Sequence, residues 1–195
     1  MKATKADREQ VVQIIYQSLA NIPSANWVAG SSKNKNKRFR AFAEYMFDVS
    51  IGKNGVYLSS CKKGVLLMFH SQAEVGKLKM LYYQLKVINK FIGYSRLVSI
   101  FKREKYIKTI RSLENDYLYV WFFAVEPSMR GKGAGIELKN IIFEESKHSG
   151  LPVFVETTIE QNKKVYERYG FAPYHNWVSE KFNFITWFMK LNPVK

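Results

Sequence analysis

Val125-Glu126-Pro127-Ser128-Met129-Arg130-Gly131-Lys132-Gly133-Ala134-Gly135 is the stretch on which the reading of this chain turns. Leading into it, Leu118 to Val125 is an unbroken run of branched and aromatic side chains, as in a strand covered on both faces. Pro127 cannot continue a strand ladder. Past the glycines, Leu138, Ile141, Ile142 and Glu145 mark a helix that stops at Gly150. A strand therefore runs into a loop with glycine at three alternate positions, and a helix begins there. The first N–H groups of a helix have no partner within it, and the positive end of its dipole adds to them. Such a turn is an anion cradle suited to a diphosphate. Glycine matters because a β-carbon holds a ligand away from the backbone. Arg130 and Lys132 add mobile positive charge, so residues 130–135 are candidates for binding a phosphate-bearing cofactor.

Two common cradles do not fit. A P-loop needs four residues between its first glycine and Gly-Lys-Ser/Thr, and this loop has neither the spacing nor the hydroxyl. A dinucleotide fingerprint starting at Gly131 needs glycine at 136, where Ile136 stands. Working outward, Pro152–Thr157 reads as a strand, Gln161–Tyr169 as a short helix and Phe184–Leu191 as a last strand. Toward the N-terminus, a helix runs from Thr4 or Asp7 to Ala20, Asn21–Lys37 reads as loop, and a second helix covers about Asn36–Ser50. Strands follow at Gly55–Ser60 and Gly64–His70. Gln72 to Ile110 is helical, broken near Gly93, with Leu81, Leu85, Ile88 and Ile92 spaced for burial. This order predicts one α/β (mixed α+β) domain over residues 1–195, built on a central sheet.

The loop also matches Arg/Gln-x-x-Gly-x-Gly/Ala, here Arg130, Gly133 and Gly135, and so resembles the coenzyme A loop of the GNAT N-acetyltransferase superfamily. Further on, Asn162-Lys163-Lys164-Val165-Tyr166-Glu167-Arg168-Tyr169-Gly170-Phe171 is similar to that family's Asn-x-x-x-Tyr-Glu-x-x-Gly-Phe ending. Loop, intervening strand Val153–Thr157 and tyrosine-bearing helix come in the family's order over residues 117–171. Within the superfamily, the layout most resembles puromycin-N-acetyltransferase-like proteins. It shares a helical insertion (72–112), a Tyr117-Leu118…Ala124-Val125-x-Pro127 approach and a closing Trp187-Phe188-Met189-Lys190.

The resemblance implies a mostly antiparallel sheet of six to seven strands with one parallel, splayed pair. It implies acetyl-CoA as cofactor, CoA as product, and attack of a primary amine through a tetrahedral intermediate. Backbone groups of Phe123, Ala124 and Val125 would take the pantetheine, with an N–H near Val125 as oxyanion donor. Asn162 would contact the pantetheine arm, and Tyr166 would be the general acid toward the leaving sulfur. The base stays open. Many relatives carry a carboxylate on the cofactor strand, and Tyr117–Val125 has none. Glu156 on the next strand is one candidate and His70 another, or proximity alone suffices.

Composition bounds the partners. The 195 residues carry 31 Lys plus Arg against 16 Asp plus Glu, a formal +15 that attracts polyanions. Between Gln72 and Asp116, ten basic residues, among them Lys79 and Lys86, face four acidic ones; such a run is usually a solvated helix face, and the sharper reading is an acceptor-side wall that attracts an anionic substrate or nucleic acid. The single cysteine, Cys61, excludes an internal disulfide framework and a multi-cysteine zinc site, and it fits a cytoplasmic protein. No apolar run approaches the roughly 20 residues of a spanning helix, so no membrane partner is expected. The expected acceptor is a small-molecule amine, handled by a monomer or homodimer. A basic nucleic-acid-binding module, or an acetyltransferase acting on aminoacyl-tRNA or a protein amine, is the alternative.

Overall fold

A computed structural model describes residues 1–30, 34–92, 97–111, 115–179 and 184–193. After a tight turn at Lys5–Asp7 come α1 (Arg8–Leu19), α2 (Pro23–Ala29) and α3 (Lys35–Gly52), then β1 (Val56–Leu58) and β2 (Gly64–His70). Helices α4 (Lys77–Val87), widened at its end over Ile88–Ile92, and α5 (Leu97–Arg111) separate β2 from β3 (Leu118–Val125). The chain closes with α6 (Ala134–Ser149), β4 (Val153–Thr157), α7 (Glu160–Arg168), β5 (Ala172–Ser179) and β6 (Phe184–Leu191). The six strands form one sheet in the order β1-β2-β3-β4-β6-β5, in which only β3 and β4 run parallel. The fold class is therefore the expected mixed α/β sheet with one parallel pair.

Two cores form because the sheet is covered on both faces. Val65, Leu67, Phe122 and Ala124 pack with Val11, Ile15 and Phe47 of α1 and α3. Leu66, Met68, Leu118 and Val120 pack with Leu138 and Ile142 of α6. The sheet thus buries apolar side chains on both faces, which is why the central strand reads as continuously apolar. A β-bulge interrupts β3: Leu67 stands opposite Phe122 but Met68 opposite Val120, so Trp121 is an extra residue. Trp121 and Phe122 consequently sit on one face in succession, both packed against the α1–α3 core.

Two expectations are corrected here, and one strand is added. Pro23–Ala29 is helical rather than loop. Pro23 occupies the first turn and Gly30, at φ 69°, ends it, so the punctuation that suggested a loop is the start and stop of a short helix. Residues 172–179 form an edge strand that polar composition and Pro173 concealed; proline is tolerated at such an edge. On α4, Leu81 and Leu85 are 53% exposed each, while Val87 is buried. The helix has apolar stripes on two opposite faces, and periodicity cannot say which turns inward. The expected break near Gly93 lies outside the described residues. Among the described residues no helix is long and apolar enough to cross a membrane.

Candidate active site

β3 and β4 are paired only at Leu118–Val153, Tyr119–Phe154 and Val120–Val155; beyond these the two strands part. The Glu126 N–H donates to the Lys63 carbonyl at 2.9 Å. Backbone groups alternate along a strand, so the N–H and C=O of Phe123 and Val125 face the gap that β4 has left. Those of Ala124 are turned to β2. Ala124 is thereby removed as a backbone ligand, although its small side chain still lines the gap.

At the open end of β3, Pro127–Met129 makes a tight turn and α6 begins. Gly131 and Gly133 have φ of 74° and 89°, which only glycine adopts without strain. Gly133 is the N-cap of α6, and no side chain caps this helix end. Its first-turn N–H groups are thus left for another acceptor. Gly135 has an ordinary backbone, and a β-carbon there would meet the Tyr169 hydroxyl and Val125 side chain only at 3.8 Å. The protein's own packing does not require a glycine at 135, and the backbone there is left without a β-carbon beside the cavity. Arg130 and Lys132 are exposed beside this loop.

A cavity of about 680 Å³ runs along the loop, lined by Phe123, Val125, Arg130, Gly131 and Gly135. Gln17, Ser18 and Asn21 at the end of α1 close its far side. Nothing in the local sequence pattern of α1 marked these three. A second cavity of about 330 Å³ lies on the other side of the gap, walled by Phe42, Tyr45, Phe91, Trp121 and Ile107. Phe122, Phe123, Ile159, Asn162 and Tyr166 line both cavities and so mark their junction.

Asn162 and Tyr166 stand one turn apart on α7, whose N-terminus follows β4 directly. Tyr166 is 7% exposed, and its ring packs 5.4 Å from that of Phe171. Its hydroxyl has no hydrogen-bond partner among the described residues. Burial pushes its pKa above the ordinary phenol value, with Tyr169 and Glu156 adding to the shift. The phenol keeps its proton throughout the working pH range.

Glu156 lines the second cavity. Its Oε2 accepts a hydrogen bond from the Tyr119 hydroxyl at 2.8 Å. Arg111 Nε lies 3.3 Å from Oε1, close enough to pair as charges but not aligned as a hydrogen bond. The guanidinium also sits 4.0 Å from the Tyr119 ring centre. Burial raises the Glu156 pKa, while Arg111 and the Tyr119 hydrogen bond pull it back. Oε1 and the hydroxyl of Thr186 are both buried without a hydrogen bond and both residues line this cavity, a polar recess in an aromatic wall.

The other base candidate is not here. His70 pairs across the sheet with Leu118, and its Nε2 lies 3.2 Å from Asp116. Leu118 and Val125 stand opposite His70 and Gly64, six strand steps apart once the bulge is discounted, or roughly 20 Å at strand rise. Antiparallel pairing puts the end of β2 at the wrong end of β3. Lys79 and Lys86 do not line the cavity either; Lys86 pairs with Glu44 at 3.9 Å.

The sequence profile described as the acetyltransferase (GNAT) family matches residues 60–171, more than half of the chain. The chain belongs to the GNAT acetyltransferase family, and it is an acyltransferase. A search of curated proteins finds no match. Solved structures share the fold at low identity. One is a Corynebacterium glutamicum protein described as histone acetyltransferase HPA2 and related acetyltransferase. It is 18% identical with a TM-score of 0.69, over 100% of this chain and 96% of that one. Another is arylalkylamine N-acetyltransferase 2 from Aedes aegypti, 13% identical with a TM-score of 0.67, over 97% and 96%. An N-acetyltransferase from Staphylococcus aureus Mu50 is 14% identical with a TM-score of 0.58, over 97% and 98%.

Proposed function

We propose that the protein transfers an acetyl group from acetyl-CoA to the primary amine of a small, largely apolar molecule. The observation that carries this reading is the parting of β3 from β4, with a cavity on each side and Asn162 and Tyr166 at the junction. The loop-side cavity suits the cofactor. The uncapped α6 N-terminus, Gly131, Lys132, Gly133 and Ala134 would hold the diphosphate, with Arg130 beside it. Gly135 leaves room for the chain that follows. Phe123 and Val125 offer the backbone groups, and Asn162 a side-chain amide, to the pantetheine. Acetyl-CoA, when bound, supplies an activated thioester carbonyl.

The remaining work falls to the chain's own groups. The Val125 N–H is the donor we assign to the developing oxyanion. Glu156 takes the amine proton at Oε1, directly or through water, while Tyr119 and Arg111 hold the carboxylate in place. Tyr166 donates a hydrogen bond to the leaving sulfur. A thiol titrates near pH 8.5 and this phenol above 10, so the hydrogen bond forms readily and full transfer is uphill. Aromatic walls and a volume of about 330 Å³ on the amine side favour a molecule with a ring or short apolar body over a polymer.

Two measurements test this. Acetyl-CoA at a hundredfold excess over its dissociation constant should add about 2.7 kcal/mol of stability, seen as a higher melting temperature. A thiol-release assay over a panel of amines should then favour aryl- and alkylamines over amino sugars and basic peptides. Absence of any thermal shift with acetyl-CoA or CoA removes the cofactor assignment. A shift without turnover of any small amine removes the acceptor assignment.

A further inference from the structure

Helix α4 carries a feature that the acyl-transfer site does not use. Leu78, Leu81, Tyr82 and Leu85 recur at helical spacing, and they are 85%, 53%, 61% and 53% exposed. The helix is anchored from its opposite face, where Val87 is buried and Met80 and Tyr83 are half-buried. The outward stripe is therefore not a core face that failed to dock. On the helical projection, Lys77 flanks one edge of the stripe and Lys79 and Lys86 the other, and α4 contains no acidic residue. At the start of α5, Val98 and Phe101 are also exposed, 66% and 62%, with Lys102 and Lys105 following.

We propose that α4 adsorbs in the plane of an anionic lipid bilayer, its leucines at the acyl boundary and the exposed Lys77 and Lys79 against the headgroups. Each part of the pattern has a matching part there. Apolar side chains enter the interface, lysine stems reach along it to keep their charge in the headgroup layer, and anionic lipid attracts each nearby lysine by about 1 kcal/mol. The net charge of +15 steers the whole molecule the same way. A second copy is a poorer occupant, because a two-fold contact through this stripe sets lysines against the same lysines. Nucleic acid matches the lysines but leaves three exposed leucines unpaired. In-plane adsorption needs no spanning helix, so the expectation of no membrane partner is revised. The inference is independent of the acetyl-transfer reading. It does place the bilayer against the segment that supplies Val87, Phe91, Ile100 and Ile107 to the amine-side cavity.

The test is sedimentation of the full chain with vesicles of phosphatidylcholine alone or mixed with phosphatidylserine. The wild type should pellet with the mixed vesicles, less so as salt rises, and stay in solution with the neutral ones. The double variant Leu81→Asp/Leu85→Asp should bind the mixed vesicles about tenfold more weakly or worse, and Lys77→Glu/Lys79→Glu likewise. Both should keep the wild-type melting temperature, since all four residues are exposed; Leu81→Ser/Leu85→Ser gives a milder version of the first. Failure of the wild type to pellet overturns the proposal. So does equal binding by the leucine variants, which would mean net charge alone attracts lipid. A dimer in solution that the leucine variants dissolve, without vesicle binding, overturns it in favour of a second copy.

Discussion

The two cavities flanking the strand gap are built from different materials. The loop side offers backbone groups at the α6 N-terminus, at two glycines with positive φ and at the free edge of β3 at Phe123 and Val125, with Gln17, Ser18 and Asn21 among the lining side chains. The other side is walled by side chains, with Phe42, Tyr45, Phe91 and Trp121 around one buried carboxylate. Peptide groups and a helix end recognise a diphosphate and an amide-rich chain whatever residues carry them. Aromatic side chains recognise one shape. The donor half is thus generic by construction and the acceptor half specific. Substitutions that damage one should spare the other, except at the junction.

The junction should give the largest effect. Tyr166→Phe keeps the ring and its contact with Phe171 and removes only the hydroxyl. Turnover should fall roughly 10²–10³-fold, the size of losing one aligned donor at a developing charge, with acetyl-CoA affinity unchanged. Retained turnover with chemistry rate-limiting would make the phenol a packing residue. Next is Glu156→Gln, on the acceptor side alone. Burial raises the carboxyl pKa above its ordinary 4.5, so the group is protonated, and idle as a base, to a higher pH than a surface glutamate. The acid limb of kcat/KM should therefore lie above that value. Below that limb the variant should match the wild type; above it, where Glu156 is ionised and the amine still protonated, it should lose about 10²-fold, recover partly as the pH nears the amine's own pKa, and keep its acetyl-CoA thermal shift. A pH profile identical to wild type would sink this role.

Gly133→Val attacks the donor side alone. A side chain at φ 89° costs about 1–2 kcal/mol of stability and tilts the α6 N-terminus. The acetyl-CoA thermal shift should largely vanish, while apolar amines should still quench Trp121 fluorescence. Loss of both would mean that the halves are not separable. The smallest effect belongs to His70→Ala, at the far end of the sheet, which should leave kcat/KM within about twofold.

The donor half was legible in the sequence because it is nearly contiguous. Between Phe123 and Tyr169, loop, helix, strand and helix follow the order in which they meet the gap. The acceptor half was not, because its wall is assembled from α3, the segment before β3, and strands β3, β4 and β6. Tyr45 on α3 and Thr186 on β6 lie in no shared local pattern, and only the tertiary fold lines one cavity with both of them and Glu156. His70 was a fair candidate by residue type, and the antiparallel direction of β2 alone excludes it. Ala124 fell to a finer geometric fact, the alternation of peptide groups fixed by the Glu126–Lys63 bond. On α4 the apolar spacing was visible, but two stripes of equal quality left the buried one undecided.

Trp121 has a further consequence as a removable letter. Strand β3 accommodates it as a surplus residue, so the residues after it keep the facing they would have in an uninterrupted pleat. Upstream, Leu118 and Val120 face the α6 core; downstream, Phe123 and Val125 are on that same side. Deleting Trp121 should therefore straighten the strand without exchanging its sides, and the peptide groups at the gap stay those of Phe123 and Val125. Such a deletion enlarges the amine chamber by one indole and leaves the cofactor edge in frame. The bulge thus works as a tolerance in chain length, a point where the acceptor wall can gain or shed a residue while the chemistry beside it stays aligned.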